Sequence, residues 1–433
     1  MLQSDQGLFK WPFVKKQLFC FFFIFFILYI FLNPDGVIPY SFYLNKLYIQ
    51  CFANPMAWFA KDILHIVGPR VNFNNGTADT VFGYLSVLFI FFVAILGSFV
   101  WLIIGRGTPN YQKLYDILIV VLRYYLAITI IAYGSMKLIK IQFLPLSPVM
   151  LLQTYGGSTP ADLGWSFMGY APIYNYLIGF TEYAAGLLLL FRRTSTLGGL
   201  IAMVILVNVI AFDYSFDVNV KMLSTVLTAM TLFLLSKDIV RLVNFFFLNK
   251  IVYPEAGPAP YFKKEWKNTA LSITKCLFIF CIVFLDLREN IARTKQDPFN
   301  TQKQPLYGIY NVTGFIRNKD ILKPLTTDTF RWKKLIISTP PGNASIMFMD
   351  DSLRNFVFKA DTVKHKIVLY AKKDTLDKYT FIYNQTHDST LILHGKWHKD
   401  SLEIKFKEYD INKFPLINIG FRWIKDRHFK NKK

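Results

Sequence analysis

The sequence predicts an α-helical polytopic membrane bundle of about seven transmembrane helices, followed by an antiparallel β-barrel-like or curled-sheet domain on the exoplasmic side. Three observations lead there. Apolar residues make up 53% of the chain, and 43 of its 433 residues are Phe. Charge is partitioned: long stretches of the first two-thirds carry almost none, while the last third is dense in Lys and Asp. Near Leu306 the apolar pattern changes from long unbroken runs to short alternating ones. These shifts divide the chain into N-terminal spans with an interfacial loop (1–110), a four-helix core (111–250), a linker with the last span (251–287) and a β-rich domain (288–433).

Crossing about 30 Å of hydrocarbon takes roughly 20 apolar residues in a helix. The stretches 17–32, 80–104, 111–138, 173–191, 197–212, 220–235 and 271–285 approach that length, with flanking Lys, Trp and Tyr anchoring the shorter ones. The run 17–32 follows Lys15 and Lys16 as a signal peptide would. Asn33, Pro34 and Asp35 come directly after it with no small-residue cleavage pattern, so it reads as a retained span. Basic residues gather on one side: Lys15 and Lys16, Arg106 and Lys113, Arg192 and Arg193, then Lys237, Arg241, Lys263, Lys264 and Lys267. The positive-inside rule makes that side cytoplasmic, which puts the N-terminus inside and, with seven spans, the β-domain outside. On the other side, 42–68 has the spacing of an interfacial helix pair, and the Pro- and Gly-rich 144–172 reads as a loop capping the bundle.

The net charge of +21 does not indicate nucleic acid, because the cations occupy membrane-loop positions or are scattered through strands. Membrane lipids with anionic headgroups are the better partner. Four cysteines form no CxxC pair, no histidine falls within a span, and no phosphate-binding or dinucleotide loop is present. No intrinsic cofactor or metal is evident; electrons, if handled, need an organic carrier or a partner subunit.

Polar groups within spans are costly and mark candidate function. Arg123 is expected about 12 Å in from the cytoplasmic boundary, with Glu182 and Asn208 near the midplane. On depth alone, Arg123 and Glu182 would pair and Asn208 would bond to them, either as a ligand site or as a structural clamp. A second group sits at the outer helix ends: Tyr133, Lys137, Asp213, Asp217 and Lys221, whose acids and lysines would alternate around an outer mouth.

An Arg-bearing apolar helix running into AYGSMKL (Gly134, Lys137) is followed by GFTEYAAGLLLL (Gly179, Glu182, Gly186), the turn FRRTSTLGG and a helix ending in AFDYSFDVNVKMLS. In these blocks, over 111–241, the chain resembles the DoxX family. The resemblance implies a four-helix membrane bundle, and some members look like subunits of quinone-linked oxidoreductases or partners of redox-defence enzymes. It therefore implies a quinone- or lipid-binding membrane subunit of a redox system, with Glu182 handling protons, Arg123 holding a polar head, quinone as the carrier and a redox subunit or periplasmic protein as partner. The alternative is a non-enzymatic envelope scaffold or assembly factor. The paired glycines read as helix-packing positions.

Beyond Leu306, the runs LIISTP, SIMFMD, NFVFKA, KIVLYA, YTFIYN, TLILHG and LEIKFK alternate between polar turns, as an antiparallel meander requires. Eight or nine such strands would close most simply into an up-and-down barrel. Its interior would either be filled by side chains or hold an apolar ligand, with Trp332, Trp397 and Trp423 as lining or plug. FPLINIGFRWI reads as a closing strand. His394 and His398 are close in sequence but lack a third ligand for a metal.

Overall fold

A computed structural model describes residues 10–32, 54–55, 57–66, 79–252, 264–296, 304–371, 374–386 and 389–420. Most of the expected interfacial segment, the linker around Pro254, and Trp423 with the basic tail lie outside the described residues. The chain separates into two compact units. One comprises Met1–Phe143 and Thr159–Arg293; the other comprises Leu144–Ser158 and Thr294–Lys433.

The first unit is helical: α1 (Phe13–Leu32), α2 (Val81–Ile104), α3 (Gln112–Leu138), then, after the short α4 (Pro148–Leu152) of the second unit, α5 (Pro160–Tyr170), α6 (Pro172–Leu190), α7 (Ser195–Ser215), α8 (Lys221–Ser236), α9 (Ile239–Phe246) and α10 (Glu265–Gln296). Six of these, α1, α2, α3, α6, α7 and α10, are long and apolar enough to cross a membrane; α8 is a shorter apolar helix. α3 packs on α6, α6 on α7, α7 on α8 and α8 back on α3, forming a ring of four, and the α1–α2 pair packs against α3 through α1. Outward faces stay apolar, as at Ile104, Phe99, Val204 and Phe280. Such a face suits lipid, whereas a surface helix in water turns charge outward.

The expected loop at 144–172 contains a full helix. Thr159 and Asp162 cap α5 reciprocally and Pro160 occupies its first turn, a start signal written in the sequence STPADL. The last span also runs further than its apolar core, since Asp286 and Asn290 continue α10 with buried side chains.

The second unit is a closed, eight-stranded antiparallel barrel. Its strands are β1 (Gly308–Arg317), β3 (Trp332–Ser338), β4 (Asn343–Phe348), β5 (Leu353–Asp361), β6 (Lys366–Ala371), β7 (Asp374–Thr386), β8 (Thr390–Trp397) and β9 (Asp400–Tyr409), each paired with the next. β2 (Asp320–Ile321) is a short hairpin arm on β1. Closure is made by β1 against β9, from Ile309–Tyr409 to Arg317–Leu402, which removes the exposed edges of an open sheet. The phrase expected to close the barrel does something else. Pro415–Asn418 is one helical turn, α11, because Pro415 lacks the N–H a strand would donate and suits a first helical turn.

Alternation in strands such as β5 and β9 sends large side chains inward. Trp332, Phe315, Phe381 and Phe406 are fully buried, and Trp332 meets Trp397 edge to face at 5.1 Å. Aromatic side chains thus occupy much of the interior. His394 faces Glu403 (3.7 Å) while His398 touches Tyr379 (3.2 Å), so the two histidines serve different neighbours.

Candidate functional site

The closest helix contact in the first unit is built by glycines. A Cβ on Gly134 would lie 2.7 Å from the Tyr183 backbone nitrogen and 2.8 Å from the Gly179 carbonyl; one on Gly186 would lie 2.9 Å from the Ala127 carbonyl. The α3 and α6 backbones therefore touch, which only small residues allow. The pairing of Gly134 with Gly179, and of Ala127 with Gly186, also shows the two helices running antiparallel. Replacing Gly134 with Ala should force the helices apart and cost about 1–3 kcal/mol. Thermal unfolding of the detergent-solubilised protein measures this, and an unchanged midpoint would mean that the backbones are not in contact.

That approach delivers Lys137 to Glu182. The Lys137 Nζ donates to both carboxylate oxygens, at 2.7 and 2.9 Å, and the two side chains are only 7% and 4% exposed. The expected Arg123–Glu182 pair is not formed. Depth reckoning failed because α3 extends well beyond the bundle's charged end. Arg123 and Lys137 stand fourteen residues apart on it, about 21 Å along the axis. Arg123 lies within electrostatic reach of Arg192 and Lys237, at the end opposite Lys137. Asn208 is exposed on the outer side of α7 and joins neither group.

α10 extends this polar core. Asn290 donates to Ser135 Oγ (2.8 Å) and to Asp286 Oδ1 (3.0 Å), and Asp286, 7% exposed, leaves Oδ2 without a partner. Further along, Tyr124 meets Phe278 at 5.8 Å. The contacts 124–278 and 135–290 rise together, so α3 and α10 run parallel.

The outer group divides as well. Lys137 is taken by Glu182, with Tyr133's ring 5.7 Å from its ammonium. Lys221 pairs with exposed Asp217 at 2.7 Å and lies 3.7 Å from Asp79. Asp213 is buried, with Oδ2 unpartnered. Asp79 escaped sequence reasoning: its carboxylate accepts the backbone N–H groups of Lys221 (2.9 Å) and Met222 (3.0 Å), capping α8 from across the chain. Val220 offers no side-chain cap, and that missing local cap is the one signal pointing to a distant substitute.

The chain is 40% identical over 116 residues to an uncharacterized protein of Bacillus subtilis (strain 168), YwoB; the alignment takes in 27% of this chain and 73% of that protein. Most of the chain thus lies outside the aligned segment. No family model matches the sequence, and no solved structure matches it.

Proposed function

Starting from the chain's membership of the family of the Bacillus subtilis protein YwoB, we propose that it is an accessory protein of the bacterial cytoplasmic membrane, DoxX-like in its core, whose bundle anchors a periplasmic barrel for a partner protein. The observation that carries this reading is the closed Lys137–Glu182 pair. Both carboxylate oxygens accept from Lys137, the two side chains are 7% and 4% exposed, and the helices bearing them are in backbone contact, which argues against a quinone ring at the carboxylate. A buried pair of this kind acts as a registry clamp on two helices.

Seven crossings fit the helix directions. α3 and α10 run parallel, and α6 runs antiparallel to α3; α6, α7 and α8 must then each traverse the bilayer, the last with only 16 residues. Lys237 and Arg241 beyond the end of α8 fit the boundary. With the basic loops inside, the N-terminus is cytoplasmic and the barrel periplasmic. The barrel is the partner-facing part because aromatic side chains occupy much of its interior, which leaves its outer surface for recognition.

The second reading is a quinone- or lipid-binding subunit of a redox system. The half-paired carboxylates of Asp213 and Asp286 favour it, since buried acids with a free oxygen suit proton handling. Mass spectrometry of organic extracts from the detergent-purified protein and from Lys137→Met/Glu182→Leu separates the two. The anchor reading expects no stoichiometric quinone from either sample. A quinone held by the wild type and missing from a folded variant would overturn it.

A further inference from the structure

Cations from four elements of the helical unit converge at the end opposite Lys137. Arg123 on α3 is 7% exposed and its Nε has no hydrogen-bond partner. Arg192, in the α6–α7 turn, lies within electrostatic reach of it. Lys237, just past α8, lies within reach of Arg123, Arg192 and Arg241, and Lys275 on α10 within reach of Arg123. Among the described residues, neither Arg123 nor Lys275 forms an ion pair with a carboxylate. The acid facing this group is Asp238, and it is occupied. Thr196 donates to one oxygen (2.7 Å), Arg241 donates to the other (2.8 Å), and Lys237 stands 3.9 Å away. Aromatic rings soften the charge only in part: Tyr124 is 5.2 Å from the Arg123 guanidinium and Phe191 is 5.4 Å from the Lys275 ammonium.

Basic residues at a membrane boundary ordinarily reach into water or headgroups as solvated charges. Arg123 does not fit that account. Its side chain is buried among protein atoms with Nε unpartnered and Tyr124 as its hydrogen-bond partner, and the other charges within reach are of its own sign. Such a group favours a bound anion. Two guanidinium forks and two ammonium groups match the oxygens of a phosphate. The α6–α7 turn and the end of α8 set this group at the bundle's end, where phospholipid phosphates lie. Next along the chain from Lys237, Asp238 lines a cleft of about 270 Å³ together with Thr196, Arg241, Leu242, Phe245 and Val252. α9 continues from it with Val240, Phe246 and Phe247 exposed, an apolar surface suited to acyl chain.

We propose that Arg123, Arg192, Lys237 and Lys275 form a binding site for a phosphate group, supplied by the headgroup of an anionic phospholipid. The site depends on the bundle crossing a bilayer and is independent of what the barrel binds. Failure of the anchor reading would leave it standing.

The test uses the full chain in mild detergent, with thermal unfolding and native mass spectrometry as readouts. The probes are cardiolipin, phosphatidylglycerol, phosphatidylcholine and inorganic phosphate, each added separately. Cardiolipin or phosphatidylglycerol should raise the unfolding midpoint and stay bound near one per chain, while phosphatidylcholine does neither. Arg123→Gln should weaken retention by about tenfold or more, the scale of one lost charge-assisted contact. Should that variant fail to fold, Lys275→Gln, at a half-buried position, carries the same expectation. Arg106→Gln/Lys113→Gln, which removes cations outside the group, should leave retention unchanged; an equal loss there would make the effect diffuse surface charge and overturn the site. A midpoint raised by inorganic phosphate alone keeps the site and makes its ligand soluble. No protection of a folded wild type by cardiolipin, phosphatidylglycerol or inorganic phosphate, or equal protection by phosphatidylcholine, overturns it.

Discussion

Lys137→Met should destabilise the helical unit by about 3–5 kcal/mol, because it leaves a buried carboxylate without its counter-charge. Glu182→Leu alone should cost a comparable amount for the mirror-image reason. The informative variant is Lys137→Met/Glu182→Leu. Apolar side chains of similar volume restore packing and remove both desolvation costs, so the double variant should regain most of the loss. Unfolding midpoints of the four proteins in one detergent form a complete cycle. Additive losses would mean that the pair carries no coupling, and the clamp would have to be abandoned. A double variant as stable as the wild type, yet unable to support the protein's role in cells, would move Lys137 and Glu182 from clamp to functional site.

The second large effect is expected in the barrel. Trp332 is fully buried, against Trp397 at 5.1 Å, Phe381 at 5.9 Å and Phe315 at 6.4 Å. Trp332→Ala should cost about 3–5 kcal/mol through lost burial and the cavity left behind. Trp332→Phe should cost much less, since it keeps a ring and removes an indole N–H that has no partner. Near-UV circular dichroism of the full chain during thermal unfolding reads the aromatic core directly. A Trp332→Ala protein that melts like the wild type would point to a hollow, ligand-accommodating interior rather than a filled one.

Several elements are legible in the sequence because their signals are local. The alternation in NFVFKA and LEIKFK places β5 and β9, and unbroken apolar runs place the spanning helices other than α10 to within a few residues. Gly134, Gly179 and Gly186 stand out as packing positions because glycine in an apolar helix permits close backbone approach. The STPADL start of α5 is a local signal too, but it sits inside a Pro- and Gly-rich stretch that reads as loop.

Partner choice is not legible. Arg123 and Lys137 are both plausible counter-ions for Glu182, and depth counting favours Arg123 because it assumes that α3 begins at the membrane edge. The glycine contact fixes the lateral and axial match of α3 with α6, and through it Glu182 falls to Lys137. Asp79 capping α8 and Asn290 reaching Ser135 are of the same kind, each joining segments more than a hundred residues apart. The sequence by itself determined that this protein has apolar helices of spanning length, an alternating β-meander and interior charges needing partners, because hydropathy and periodicity act over single elements. Which charge meets which, that the barrel closes through β1 and β9, and that Arg123 is left among cations were decided only by the tertiary structure. Those outcomes depend on how closely two backbones approach, which no single element encodes.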